Sequence, residues 1–185
     1  MSVDDLVLTV IGQCTGAVVR GRTRLQKILY FLCDRLRVDA RFAPHYYGPY
    51  SELVSRSVDS LVARGLVKEE VRHVPSEGPF EGRLYEYSLK SEGHEVLDQL
   101  RKAHPDEYKT AAGIVDEVMA GEPSTQALAV ASKLHVVVSQ SEREVPITSL
   151  SSRASKFGWA IRPQAVQDGV EFLVEKGFAK KVPAR

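Results

Sequence analysis

Apolar positions near the N-terminus recur at helical spacing. Leu6, Val7, Val10 and Ile11 predict a helix from Val3 to about Cys14. Asp4 and Asp5 fall in its first turn, where acidic groups offset the helix dipole. A short β-prone link bounded by Gly16 and Gly21 follows. The stripe Leu25, Ile28, Leu29, Leu32 and Leu36 predicts a second helix, from a Thr23 cap to about Arg37. Arg24, Lys27 and Arg35 fall off this stripe and are expected to meet water or a partner. Residues 38–49 form an aromatic connection. A third helix opens at Tyr50-Ser51 with Ser51 near its cap; Leu53, Val54, Val58, Leu61 and Val62 form its buried face, and Gly65 ends it.

The pattern then changes period. Leu66 to Val74 and Arg83 to Leu89 predict two strands, joined by the turn formers Pro75-Ser-Glu-Gly-Pro-Phe-Glu-Gly82. Tyr85 and Tyr87 alternate with Leu84 and Glu86, as on a strand with one buried face. Ser91 starts a helix through about Lys102. Helix, short strand, helix, helix, strand, loop, strand is the order of a winged-helix domain. Residues 38–49 depart from it, because a helix-turn-helix usually needs about 3–4 connecting residues.

The remaining segments are helical. They run from Pro105 to about Ala120, Thr125 to about Gln140, Pro146-Ile147 (Thr148 near the cap) to Phe157-Gly158, and Pro163 to Gly177. Phe178 to Val182 is read as a strand. Val58–Lys68 aligns without gaps on Val170–Lys180, sharing a helix, a glycine cap and an outgoing segment. The expected fold is therefore mainly α with a small β wing (α+β): a tandem winged helix-turn-helix whose second unit is degenerate. The expected domains are residues 1–103, a winged-helix domain; 104–123, a connecting helix and linker; and 124–185, the second unit.

Composition narrows the function classes. The chain has 185 residues with near-average hydrophobic and charged fractions, and its apolar runs are too short to cross a bilayer. The start, Met-Ser-Val-Asp-Asp, lacks the basic opening of a secretory signal, so a cytoplasmic location is expected. Cys14 and Cys33 alone can build neither a disulfide framework nor a four-cysteine zinc site, and no cofactor or metal is expected. The net charge of +1 hides two basic blocks: residues 20–45 carry seven basic and two acidic side chains, and 150–185 carry seven and three.

Three segments also resemble a known family. They are Gly21-Arg-Thr-Arg-Leu-Gln-Lys-Ile-Leu-Tyr-Phe-Leu32, His45-Tyr-Tyr-Gly-Pro-Tyr-Ser51 and Leu61-Val-Ala-Arg-Gly-Leu-Val67. Together they resemble the YwgA-like family of uncharacterised prokaryotic proteins and, more distantly, the Panacea (SocA-like antitoxin) domain. The carriers are the Leu25-Gln26-Lys27 helix and the Tyr47-Gly48-Pro49-Tyr50 turn, and the match spans roughly the first half of the chain. The resemblance implies a winged-helix-like core that binds either DNA or a protein partner.

No catalytic constellation is visible. The five histidines lack metal-ligand spacing, the cysteines sit among apolar neighbours, and there is no phosphate-binding glycine loop; a non-enzyme is expected. Arg20, Arg22, Arg24 and Lys27 bracket a helix start, a plausible phosphate dock. Arg56 and Arg64 lie where a recognition helix would read base edges, and Arg153, Lys156 and Arg162 offer a second phosphate surface. Against this stand four carboxylates, Glu52 and Asp59 beside the third helix and Glu77 and Glu81 in the wing loop. Tyr46, Tyr47 and Tyr50 flank Gly48-Pro49, which shapes the approach to the third helix; their rings either fill core beneath it or form a partner surface. The leading expectation is a prokaryotic regulator that binds duplex DNA. The alternative is an antitoxin-like or adaptor module that holds a protein partner and no DNA. A homodimer is compatible with either, and no membrane association is expected.

Overall fold

The computed structural model describes residues 1–74, 82–141 and 145–179. It is mainly helical with one three-stranded antiparallel sheet, the α+β class expected from the sequence. The first helix, α1 (Val3–Gln13), starts with a capping box. Ser2 Oγ accepts from Asp5 N–H, and the Asp5 carboxylate accepts from Ser2 N–H. Its stretch Leu6–Ile11 is buried on every side, because α3, α4 and α5 all pack against it.

A single 3-10 turn leads to β1 (Val18–Arg20) and then α2 (Arg22–Leu36). Gly21, not Thr23, caps α2, and no side chain closes that N-terminus. From Leu25 to Cys33 every residue of α2 is buried, since α1, α5 and α6 surround it. The apolar stripe predicts one buried face, and the surrounding helices cover the others. Lys27, expected at the surface, is 2% exposed. Arg24 is half-buried and donates to Pro123 O at 2.8 Å. Arg35 is half-buried against Glu117 and the Phe178 ring.

The helix α3 (Glu52–Ala63) is capped by Ser51, whose Oγ accepts from Val54 N–H at 3.1 Å. Gln26 fixes this junction by pairing its side-chain amide with both backbone groups of Ser51. Leu53, expected in the core, is 40% exposed; the main packing partners of α3 are α1 and β2.

Strands β2 (Val67–Val74) and β3 (Gly82–Leu89) pair antiparallel from Val67↔Leu89, and β1 adds to the other edge of β3, giving the order β1-β3-β2. The expected alternation on β3 is incomplete: both Glu86 and Tyr87 are buried. Arg20 and Arg72 cover the Glu86 carboxylate at 2.9 and 2.8 Å, which makes its burial tolerable. The segment 75–81, holding the expected wing residues Glu77 and Glu81, lies outside the described residues.

Helices α4 (Ser91–Ala103), α5 (Pro105–Met119), α6 (Thr125–Ser139), α7 (Ile147–Ser155) and α8 (Pro163–Glu175) follow among the described residues. The Tyr30 hydroxyl and His135 Nδ1 share a buried 2.7 Å hydrogen bond that ties α2 to α6. One hydrophobic core runs without a break from Leu6 to Leu173. The segments 1–103 and 124–185 therefore share a core.

The internal repeat has a matching backbone at its glycines. Gly65 (φ 74°) and Gly177 (φ 71°) follow a helix end in the same way. Leu66 N–H returns to Leu61 O at 3.0 Å, and Phe178 N–H to Leu173 O at 2.7 Å. Beyond this the copies diverge. Val67 enters β2, whereas Phe178 and Ala179 form no strand, and Phe178 packs on Phe31 at 4.6 Å instead. Residues 180–182 of the expected strand lie outside the described residues. Among the described residues, no helix is long and apolar enough to cross a membrane.

Candidate interaction site

The basic cluster at the start of α2 is engaged by its own protein, two of its four cations by carboxylates and two by backbone carbonyls. Arg20 on β1 pairs with Glu86. Arg22 donates to Tyr87 Oη at 3.1 Å and to Glu69 at 3.4 Å, and lies 3.7 Å from the centroid of the Tyr85 ring. Tyr87 in turn donates to Glu69 at 2.7 Å. The Arg24 guanidinium is spent on the Pro123 carbonyl. Lys27 is no phosphate contact at all. Its ammonium donates to Pro49 O at 2.7 Å beneath the surface, and loss of water with the neighbouring Lys133 charge pushes its pKa down to about 8.

The exposed face of α3 is also balanced. Arg56 pairs with Glu52 at 3.4 Å, and Arg64 with Asp4 at 2.9 Å. Asp59 is exposed on the same helix. A phosphate approaching this face meets three carboxylates, Glu52, Asp59 and Asp4, for its two arginines.

The turn 45–50 is where the structure departs most from a core-filling role. Tyr46 is 73% exposed and Tyr47 57% exposed, and their rings meet edge to face at 4.8 Å. Tyr50 is half-buried, with its ring 5.2 Å from His45. The backbone carrying these rings is held from several directions. Ala43 and Tyr50 exchange two 2.9 Å backbone hydrogen bonds, and Lys27 holds Pro49 O. The indole of Trp159, the chain's single tryptophan, donates to His45 O at 2.7 Å. Gly48 (φ 98°) is buried, and a Cβ there would meet Lys133 Cγ, Ser132 Oγ and Lys27 Cε at 3.2–3.3 Å.

The C-terminal basic residues are freer. Arg153 donates to Ser141 Oγ at 3.2 Å. Lys156 and Arg162 are exposed, and among the described residues neither has an ion pair. Arg162 shares a cleft of about 370 Å³ with Lys133, Gln126 and Asp168. Sequence reasoning missed Lys133 and Trp159. Lys133 sits inside an apolar helical run with no motif around it, and Trp159 reaches His45 across 114 residues of sequence.

Burial pushes the Cys14 thiol up to about 11 and the Cys33 thiol to about 12, away from nucleophilic thiolates. Among the described residues, no group of three His, Cys, Asp or Glu side chains could hold a metal. No model of a known protein family matches the sequence, and no curated protein does either.

Proposed function

We propose that this chain is a cytoplasmic protein-interaction module on a winged-helix scaffold, whose contact surface centres on the Tyr46–Tyr47 turn. The observation that carries the reading is a pair of large exposed rings on a backbone anchored by Lys27, Trp159 and Ala43. Such rings bury large area on binding at little entropic cost, because the turn is already ordered. The element order and the β1-β3-β2 sheet support the scaffold assignment. Regulation through duplex DNA is the less favoured reading, since Arg20, Arg22, Arg56 and Arg64 already face carboxylates. Phosphate would have to displace them.

The test has two arms. Affinity for random duplex DNA is measured across a salt series; each phosphate contact contributes about 0.9 to the slope of log K against log salt. The expected slope is below about 2. Protein capture from the source cells is then compared for the wild type, Tyr46→Ala/Tyr47→Ala and Arg56→Ala/Arg64→Ala. A partner kept by the arginine variant and lost by the tyrosine variant supports the proposal. A DNA slope of several units, or a partner lost only with the arginines, overturns it.

A further inference from the structure

Lys133 is a cation without a counter-ion. It lies half-buried on α6, and among the described residues no carboxylate or carbonyl accepts from it. Its partner is the face of Trp159, 5.8 Å from Nζ to the ring centroid. A second buried cation, Lys27, feels the Lys133 charge, and its own acceptor is the neutral carbonyl of Pro49. Burial without compensation disfavours both charges, and each ammonium is held below its ordinary pKa in consequence. The repulsion between the two lysines adds to the cost at Lys27. Of the two, Lys133 lines an open cleft, and an anion there would relieve its charge.

The cleft gives that anion access. Lys133 lines it from α6, and Arg162, exposed and unpaired, lines it from the start of α8. Arg162 is also the N-cap of α8, and no side chain closes that helix end. Asp168 is the one carboxylate in the lining, and Gln164 already holds it through a 2.9 Å hydrogen bond. The lining therefore keeps a net positive charge. Val130 and Ile161 supply an apolar wall beside the charges. The volume, about 370 Å³, is within the roughly 300–1,000 Å³ of small-molecule sites.

We propose that Lys133 and Arg162 form a binding site for a small organic anion, with the acidic head between the two cations and the ligand body on the Val130–Ile161 wall. The site is independent of the adaptor reading. It adjoins the tyrosine turn through Lys133, whose Cγ sits against Gly48, so an occupant bears directly on the element that supports Tyr46 and Tyr47.

The experiment titrates the full chain with inorganic pyrophosphate and, separately, with glutarate, at ionic strength fixed by sodium chloride. Binding is read by calorimetry and by the rise in Tm, which depends on ligand concentration when only the folded state binds. Saturable binding of at least one probe is expected, and the stronger of the two identifies a phosphate or a carboxylate head. Lys133→Gln and Arg162→Gln should each weaken it at least tenfold. Lys109→Gln, an exposed cation on α5 outside the cleft, should leave it unchanged. Circular dichroism of each variant separates lost binding from lost fold. The proposal fails if neither probe binds beyond chloride, if the folded Lys133→Gln/Arg162→Gln double variant binds like the wild type, or if Lys109→Gln weakens binding as much as the cleft variants.

Discussion

A buried lysine costs its protein free energy at neutral pH, and Lys27 makes that cost measurable. The fold lowers its pKa from 10.5 to about 8. Between those values the unfolded chain holds a proton that the folded chain has released, so stability rises with pH through this window. Below pH 8 the penalty is fully present, at about 3 kcal/mol by the size of the shift. Lys27→Met keeps the length of the side chain and removes the charge. The gap in unfolding free energy, wild type minus variant, should increase by up to about 3 kcal/mol between pH 8 and 10.5 in urea titrations. Lys133 titrates in both proteins and so drops largely out of the difference. Gly48 is the second residue on which the turn depends. Gly48→Ala forces a Cβ onto a positive φ and between two lysines and a serine, and should cost about 1–3 kcal/mol. Its distinguishing mark is greater proteolytic sensitivity near Tyr46 and Tyr47.

Among the elements, α4 comes close to the turn that starts β2 at Gly93. A Cβ on Gly93 would collide with the backbone oxygen of Leu66. That oxygen cannot move freely, because it accepts from Lys90 N–H at 3.0 Å and follows the Gly65 cap. Gly93→Ala should therefore destabilise by about 3 kcal/mol or more, although alanine is the better helix former. An unchanged denaturation midpoint would show that the α4–β2 contact is looser than this. One link between the tyrosine turn and the 157–161 segment is the indole hydrogen bond of Trp159. Trp159→Phe keeps an aromatic ring in the buried site and removes the donor, leaving His45 O with the 2.9 Å bond from Gly48 N–H alone. The expected loss is about 1–2 kcal/mol, and amide exchange should accelerate in residues 45–48 while α3 stays protected.

At the scale of the whole molecule, the shared core has a direct consequence for cooperativity. The α2 helix is enclosed partly by α6, and α6 carries α8. A chain ending at residue 123 would expose Tyr30, Phe31 and the neighbouring apolar face of α2. The full chain should unfold in one calorimetric transition, with matching midpoints by near- and far-ultraviolet dichroism. The 1–123 fragment should lose fixed tertiary structure. Two resolved transitions, or a fragment with native-like cooperativity, would mean that the C-terminal helices form a separate folding unit.

The hydrophobic pattern determined most of the elements by itself, although the strand expected from Phe178 does not form at Phe178 and Ala179. A period of 3.6 in Leu25–Leu36, a glycine after Ala63 and a turn-rich segment after Val74 are local signals, and the observed helix and strand limits fall within a few residues of them. The matching backbone at Gly65 and Gly177 was legible for the same reason: a glycine-capped helix end is a local motif. Charge counting also foresaw that α3 would present mixed charge. Tertiary structure decided the surfaces. Lys27 reads as an outward cation because its own helix offers only one apolar stripe, and it is buried because α1, α5 and α6 close over the remaining faces. Arg20 and Arg22 read as a phosphate dock until the sheet brings Glu86 and Glu69 to them across 66 and 47 residues. Tyr46 and Tyr47 could have turned inward. They face solvent because Lys27, Trp159 and Ala43 fix the backbone between them. No local rule reaches across such separations, because each partner is chosen by how the helices pack.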